Sequence, residues 1–295
     1  MIDYRLLTFI DVCETLSLTQ TAKRLNLTQP AVSQHIRHLE TTFELKLIQY
    51  SGKKMSITEA GLALLEGVKQ TDAILHETKQ RMSETLTQKK TLTFGATLTI
   101  ADYVMPDIIT RYAACEPTVH LNFKVGNTKT LIEALRNGEI ECAFIEGYFN
   151  SDAVEHYLLK QSEFILVSGT NSSIPNVMTF NELFLQRLFI RELGSGSRDI
   201  FEKLLANHNA HIQQFKHYDE IGSISLIKSL VKEGLGVTYI YKEAVLEELN
   251  RQELREIQVK NVNMKRDFHF VFMKSSLQRE KYINFLAFIR KIYNV

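Results

Sequence analysis

Over the first 42 positions the apolar residues recur at helical spacing, and three helices account for them. The first carries Leu6, Leu7, Phe9, Ile10, Cys13 and Leu16. Thr19 is placed to cap a second helix that holds Ala22 and Leu25, and Asn26-Leu27 reads as a tight turn. Thr28 then caps a third helix, with Pro30 in its first turn, where a missing N–H costs nothing. On that third helix Val32, Ile36, Leu39 and Phe43 fall within an arc of roughly 60°, which predicts a buried face. Gln29, Pro30, Ser33, Gln34 and Arg37 occupy another face. An ordinary amphipathic surface helix would divide the same way. Two capped helices joined by a two-residue turn favour a helix built to enter a major groove, where Gln and Arg bond base edges and Ser bonds base or phosphate.

The pattern then changes twice. Leu45-Lys46-Leu47-Ile48 and Met55-Ser56-Ile57 flank Ser51-Gly52-Lys53-Lys54, which predicts a hairpin whose lysines suit phosphate contacts. Thr58 is placed to cap a helix running without Pro to about Thr87, roughly 40 Å long. Val68, Leu75 and Met82 recur on it every seven residues, flanked by Leu64, Leu65 and Leu86, although Asp72 and Lys79 interrupt a second apolar row. That seam resembles a coiled coil and predicts pairing with a second copy; packing on its own C-terminal half is the alternative. After Lys89-Lys90, short β-rich runs alternate with amphipathic helices, the signature of βαβ units and a largely parallel sheet. The runs are Leu92–Ala96, His120–Val125, Cys142–Ile145, Phe164–Ser168, Leu188–Ile190, Val237–Tyr241 and Phe268–Met273.

Composition narrows the class. With 295 residues and 44% hydrophobic positions, the chain can bury two or three compact cores. The formal charge of +1, from 35 basic and 34 acidic residues, excludes a polybasic protein but not a local basic patch. Cys13, Cys115 and Cys142 lie far apart in apolar stretches and read as buried, reduced thiols. The start Met1-Ile2-Asp3-Tyr4 is unlike a signal peptide, and no apolar stretch is long enough to span a membrane. A soluble cytoplasmic protein is expected.

The segment Leu18-Thr19-Gln20-Thr21-Ala22-Lys23-Arg24-Leu25, followed by Thr28-Gln29-Pro30-Ala31-Val32-Ser33-Gln34-His35-Ile36, resembles the helix-turn-helix of LysR-type transcriptional regulators. So do Leu39-Glu40 and the stretch Ser56-Ile57-Thr58-Glu59-Ala60-Gly61. The resemblance implies a winged helix-turn-helix over 1–58, a linker and dimerisation helix over 59–90, and a two-lobed effector domain over 91–295 that looks like periplasmic binding proteins. Lobe I would take 91–163 and 268–295, and lobe II 164–267. Double-stranded promoter DNA, a homodimer or homotetramer, a small-molecule effector and RNA polymerase are the partners expected, with no other cofactor and no metal. The DNA contacts implied are Thr19, Thr28, Gln29, Pro30, Ser33, Gln34, Arg37, Lys53 and Lys54. One departure stands out. Where the family usually has Phe, an acidic residue and Arg, this chain has Ile48, Gln49 and Tyr50, so Lys53 or Lys54 is expected to supply the phosphate contact.

Three strand-to-helix junctions carry candidate effector chemistry. Ligands of parallel α/β sheets lie at the carboxyl ends of strands, where helix N-termini and hydroxyls favour an anion. Thr97 and Thr99 stand at the first junction, Asn127 and Thr128 at the second. Arg191-Glu192-Leu193-Gly194-Ser195-Gly196-Ser197-Arg198 forms the third, a nest suited to carboxylate, sulfite or sulfate-like groups. Arg191 and Arg198 would add charge unless each pairs with a neighbouring Glu, and Ser197 would otherwise only cap its helix. Glu146 and Ser223 complete the candidate set. An effector there would favour one lobe closure and so change how dimers pair.

An enzyme is the other class considered. Gly194-Ser195-Gly196 lacks the later glycine of a dinucleotide fingerprint, and no phosphate-binding Gly-x-x-x-x-Gly-Lys loop exists. Ser195 lacks a nucleophile elbow, and His208 and His211 read as surface histidines. A solute-binding protein would fit the second half and leave residues 1 to 60 without a role.

Overall fold

The computed structural model describes residues 3–52, 54–87 and 90–293. The chain divides into two compact units, the first carrying residues up to Ser83 and the second Glu84–Leu135 with Glu139–Val295.

In the first unit, α1 (Tyr4–Thr15), α2 (Leu18–Arg24) and α3 (Gln29–Phe43) enclose a core of Phe9, Val12, Ala22, Val32, Ile36 and Leu39. Burying each large side chain of this kind stabilises by about 1.5–3 kcal/mol. The N-cap of α2 is Ser17, whose hydroxyl accepts from Gln20 N, so Thr19 lies inside the first turn rather than capping it. Asn26 takes φ 55° between α2 and α3, a conformation Asn tolerates better than most residues. Thr28 caps α3 through Ala31 N at 3.3 Å, and Pro30 sits in the first turn. Phe43 departs from expectation. Glu44 turns into the left-handed region at φ 56°, the helix ends, and Phe43 is left exposed rather than buried with Leu39.

The hairpin pairs β1 (Ile48–Ser51) with β2 (Lys54–Ile57) antiparallel. Its first strand begins at Ile48 and not at Leu45, because Leu47 is held as a joint. Its N–H donates to Glu40 Oε1 at 3.0 Å and its carbonyl accepts Thr58 N at 3.0 Å. Thr58 caps α4 (Glu59–Thr87) by accepting from Gly61 N at 3.0 Å. A Cβ at Gly61 would lie 2.2 Å from the Leu47 carbonyl oxygen, so only glycine permits this closeness. Along α4, Val68 is buried, Leu75 half-buried, and Met82 and Leu86 exposed.

The second unit opens with β3 (Thr91–Thr97), α5 (Leu98–Tyr103), α6 (Met105–Cys115), β4 (His120–Gly126), α7 (Thr128–Arg136) and β5 (Cys142–Ile145). The helical segment after β3 is broken at Val104, and Pro106 stands in the first turn of α6. The long strand β6 (Val154–Gly169) leads to β7 (Val177–Met178), α8 (Phe180–Phe184), β8 (Arg187–Ile190), α9 (Gly196–Asn207) and β9 (His217–Glu220). The order continues with α10 (Ile224–Lys232), β10 (Val237–Tyr241), α11 (Leu246–Asn250), β11 (Leu254–Val259), β12 (Lys265–Met273) and α12 (Arg279–Tyr293).

The sheet runs β4-β3-β5-β12-β6-β10-β8-β9. It is mixed rather than largely parallel. The βαβ strands β4, β3 and β5 are parallel, as are β10, β8 and β9, but β6 runs antiparallel to both β12 and β10. Strand β6 pairs with β12 up to Glu163, then with β10 from Phe164 onward. Those two long strands therefore join two lobes. Phe94, Phe144, Phe270 and Phe285 pack ring to ring under the first, and Leu188, Phe201, Leu205 and Tyr241 are buried in the second. Cys142 is buried, but Cys115 is exposed and Cys13 half-buried, so the expectation of three buried thiols holds for one. Among the described residues no helix is long and apolar enough to cross a membrane.

Candidate functional site

Each unit presents a site. On α3, burial of Val32, Ile36 and Leu39 turns Gln34 and Arg37 outward; both are exposed, as are Thr28, Gln29 and Pro30 at the helix start and Thr19 on α2. Ser33 is half-buried. Thr8 Oγ1 lies 3.0 Å from His35 Nδ1, which ties α3 to α1, and Arg24 Nε reaches Asp11 at 2.9 Å, which ties α2 to α1. Glu40 bonds Lys46 Nζ at 2.8 Å as well as Leu47 N, which ties the hairpin to the back of α3. Lys54 is exposed on β2, and Lys53 lies outside the described residues. Lys54→Ala should weaken binding to every DNA sequence alike and reduce the slope of log affinity against log salt by about one unit. Affinity measured at several salt concentrations checks this; a changed base preference at an unchanged slope would refute it.

In the second unit, a cavity of about 210 Å³ lies where β3, β5 and β8 end. That is smaller than the ~300–1,000 Å³ typical of drug-sized ligands, so it suits a molecule of few heavy atoms. Thr97, Asn127, Glu146, Arg191 and Ser195 line it together, with Val125, Glu192 and Gly196. Two of these polar groups lack partners: Thr97 Oγ1 and Glu146 Oε2 are buried and make no hydrogen bond. Stranded buried polar atoms cost stability, which a ligand would recover.

The other polar atoms are held locally. Ser195 is the N-cap residue of α9, yet its hydroxyl does not cap; it lies 2.9 Å from Ser197 Oγ. The first-turn N–H groups of a helix have no intrahelical acceptor, so the start of α9 offers donors beside the cavity. Asn127 Oδ1 accepts from Thr130 N at 2.9 Å and caps α7. Arg191 already bonds Glu192 through Nε at 2.7 Å and Nη2 at 2.8 Å. Burial raises Glu146 to about 8, against the hydroxyls of Thr99 and Thr97 and the charge of Arg191.

Four candidates do not reach the cavity wall, and a fifth is turned elsewhere. Thr99 donates to Glu146 Oε1 at 3.2 Å, and Thr128 donates to the Glu146 carbonyl at 2.6 Å, so both support Glu146 from behind. Ser197 stands behind Ser195. Ser223 caps α10 through Leu226 N at 3.3 Å and is exposed. Arg198 is buried in ion pairs with Glu202 at 2.8 Å and with Glu220, and also bonds the Arg191 carbonyl. The alternative weighed for Arg191, pairing with a neighbouring Glu, is the one observed, and Glu192, which was not among the candidate site residues, lines the cavity with it.

Comparison with known proteins finds a family match for each half of the chain. The model of the bacterial regulatory helix-turn-helix protein, lysR family, matches residues 4–62, and that of the LysR substrate binding domain matches residues 87–293. The chain is 28% identical over 257 residues to a probable RuBisCO transcriptional regulator of Gracilaria tenuistipitata var. liui, covering 85% of this chain and 83% of that one. It is 25% identical over 285 residues to the HTH-type transcriptional regulator CysL of Bacillus subtilis, covering 95% and 94%. A solved mutant of OxyR from Corynebacterium glutamicum superposes with a TM-score of 0.60 at 23% identity, over 99% of this chain and 92% of the other.

Proposed function

This chain belongs to the LysR family of transcriptional regulators, and we propose that it binds promoter DNA as a dimer or dimer of dimers, switched by a small anion held in the cavity at the end of β3. It is a regulator with an effector-binding domain and not an enzyme.

One observation carries the anion reading: two unpartnered buried polar atoms, Thr97 Oγ1 and Glu146 Oε2, border one small cavity beside the start of α9 and the guanidinium of Arg191. Hydrogen bonds to an ionised ligand contribute about 1.5–3 kcal/mol each, so a few such donors offset the desolvation of a small oxyanion. The dimer reading rests on α4, where Met82, on the row that begins at buried Val68, and the flanking Leu86 are exposed. Two copies joined there would present two α3 helices to two half-sites.

Calorimetry with a panel of small oxyanions and carboxylates tests the site. Thr97→Val keeps the shape and removes the hydroxyl, so the ligand found should bind about tenfold or more weakly. If Thr97→Val and Ser195→Ala both retain wild-type affinity, the ligand binds elsewhere.

A further inference from the structure

The cavity contains a charge problem. Arg191 is its guanidinium, and Glu192 already engages it through two hydrogen bonds. Those two charges cancel. If Glu146 were also ionised, the cavity would hold two carboxylates against one cation, and an entering anion would meet net negative charge in a buried setting. The problem disappears if Glu146 is neutral.

Resting on the reading of this cavity as an anion site, we infer that Glu146 admits the ligand only as a carboxylic acid, donating its own hydrogen from Oε2, so that effector affinity is controlled by pH. The geometry supports each part. The Glu146 side chain is 2% exposed, and Oε1 takes a hydrogen bond from Thr99 Oγ1 while Oε2 has no partner. An ionised carboxylate accepts only, whereas a protonated one gains an O–H to donate. Oε2 is therefore the oxygen on which a proton serves a ligand. The side chain cannot swing away easily, because Thr128 holds its backbone carbonyl and Gly196 passes close enough that a Cβ there would lie 3.3 Å from Glu146 Cγ.

The groups facing Glu146 come from several elements. Thr97 on β3 borders the cavity with it, and the hydroxyls of Thr97 and of Thr99 on α5, with the charge of Arg191 after β8, favour the ionised form. Glu243, after β10, opposes that form, and the buried phenol of Tyr241 on β10 feels the Glu146 charge. Burial outweighs the rest and keeps the proton on to about pH 8. The site would thus be open to anions through neutral pH and close as the medium turns alkaline. An effector with a cationic head would show the reverse.

The test uses the full chain and probes of fixed charge. Sulfate, acetate and oxalate keep constant charge from about pH 6.5 to about 9.5, so any pH dependence belongs to the protein. Calorimetric affinity of the wild type should be flat to about pH 8 and then fall about tenfold per pH unit, as one required proton is lost. Glu146→Gln keeps the shape and a donor but cannot ionise; its affinity should stay flat and within a few-fold of the acidic wild-type value. A flat wild-type profile, or a Gln variant that falls in parallel with wild type, overturns the role of Glu146 and leaves the anion site standing. Affinity that rises with pH and vanishes in Glu146→Gln overturns both. If no probe binds either protein at any pH, the anion reading itself falls, while the ¹³C carboxyl titration of Glu146 still reports where it ionises; ionisation near the ordinary carboxylate range would overturn the inference independently.

Discussion

Glu146→Gln should make the second unit more stable than wild type in alkaline solution, by an amount that grows from about pH 4.5 to about pH 8 and then stays constant. The ordinary value for this carboxyl is 4.5, and burial raises it to about 8 in the folded chain. Because the folded value is the higher one, the folded state holds more protons than the unfolded state between these limits. Stability from Glu146 is fully present below the lower limit and is lost as pH rises to the upper one. Each pH unit corresponds to about 1.4 kcal/mol, so the loss across the window is on the order of 3–5 kcal/mol. Glutamine has no proton to lose. Chemical denaturation of both proteins at stepped pH reads the difference directly, and parallel curves would show that Glu146 titrates normally.

Gln34→Ala and Arg37→Ala should each weaken binding to a cognate operator by about 1–3 kcal/mol and relax the preference at the base pair concerned. Both side chains are exposed on the face of α3 opposite Val32, Ile36 and Leu39, and neither helps to hold the helix bundle. The loss should therefore appear in DNA binding with no change in thermal unfolding of the first unit. Titration of labelled operator variants at one stated salt concentration checks it. Wild-type affinity and wild-type selectivity in both variants would exclude α3 as the reading element.

The first unit was largely legible in the sequence because its signals are local. Thr28 and Pro30 mark the start of α3, and Val32, Ile36 and Leu39 mark its buried face, within a few residues of one another. The errors are local too. Ser17 competes successfully with Thr19 for the cap, and a left-handed Glu44 stops the helix before Phe43 can join the core. In the second unit the apolar strands were visible and the polar ones were not. Strand β9, His217–Glu220, is a sheet edge with little burial, and the first half of β6 alternates Glu155, Lys160 and Gln161 into what reads as loop. The pairing of β6 is decided by partners over a hundred residues away in β12, and that of β9 by β8, which no local pattern reveals. The site divides similarly. Junction hydroxyls could be picked out from strand ends and helix starts, but which of them face the cavity could not. Arg198 and Arg191 look equivalent in the sequence; Glu202 and Glu220 occupy Arg198, whereas Arg191 stays at the cavity with Glu192.

The most direct measurement is a footprint of the full-length protein on its cognate promoter fragment, at fixed salt, with and without a saturating ligand found by calorimetry. If the cavity controls the DNA-binding unit, the ligand will change the affinity or the length of the protected segment for wild type. Thr97→Val should need a correspondingly higher ligand concentration for the same change. An identical footprint and affinity with the ligand demonstrably bound would contradict control of DNA binding from this cavity.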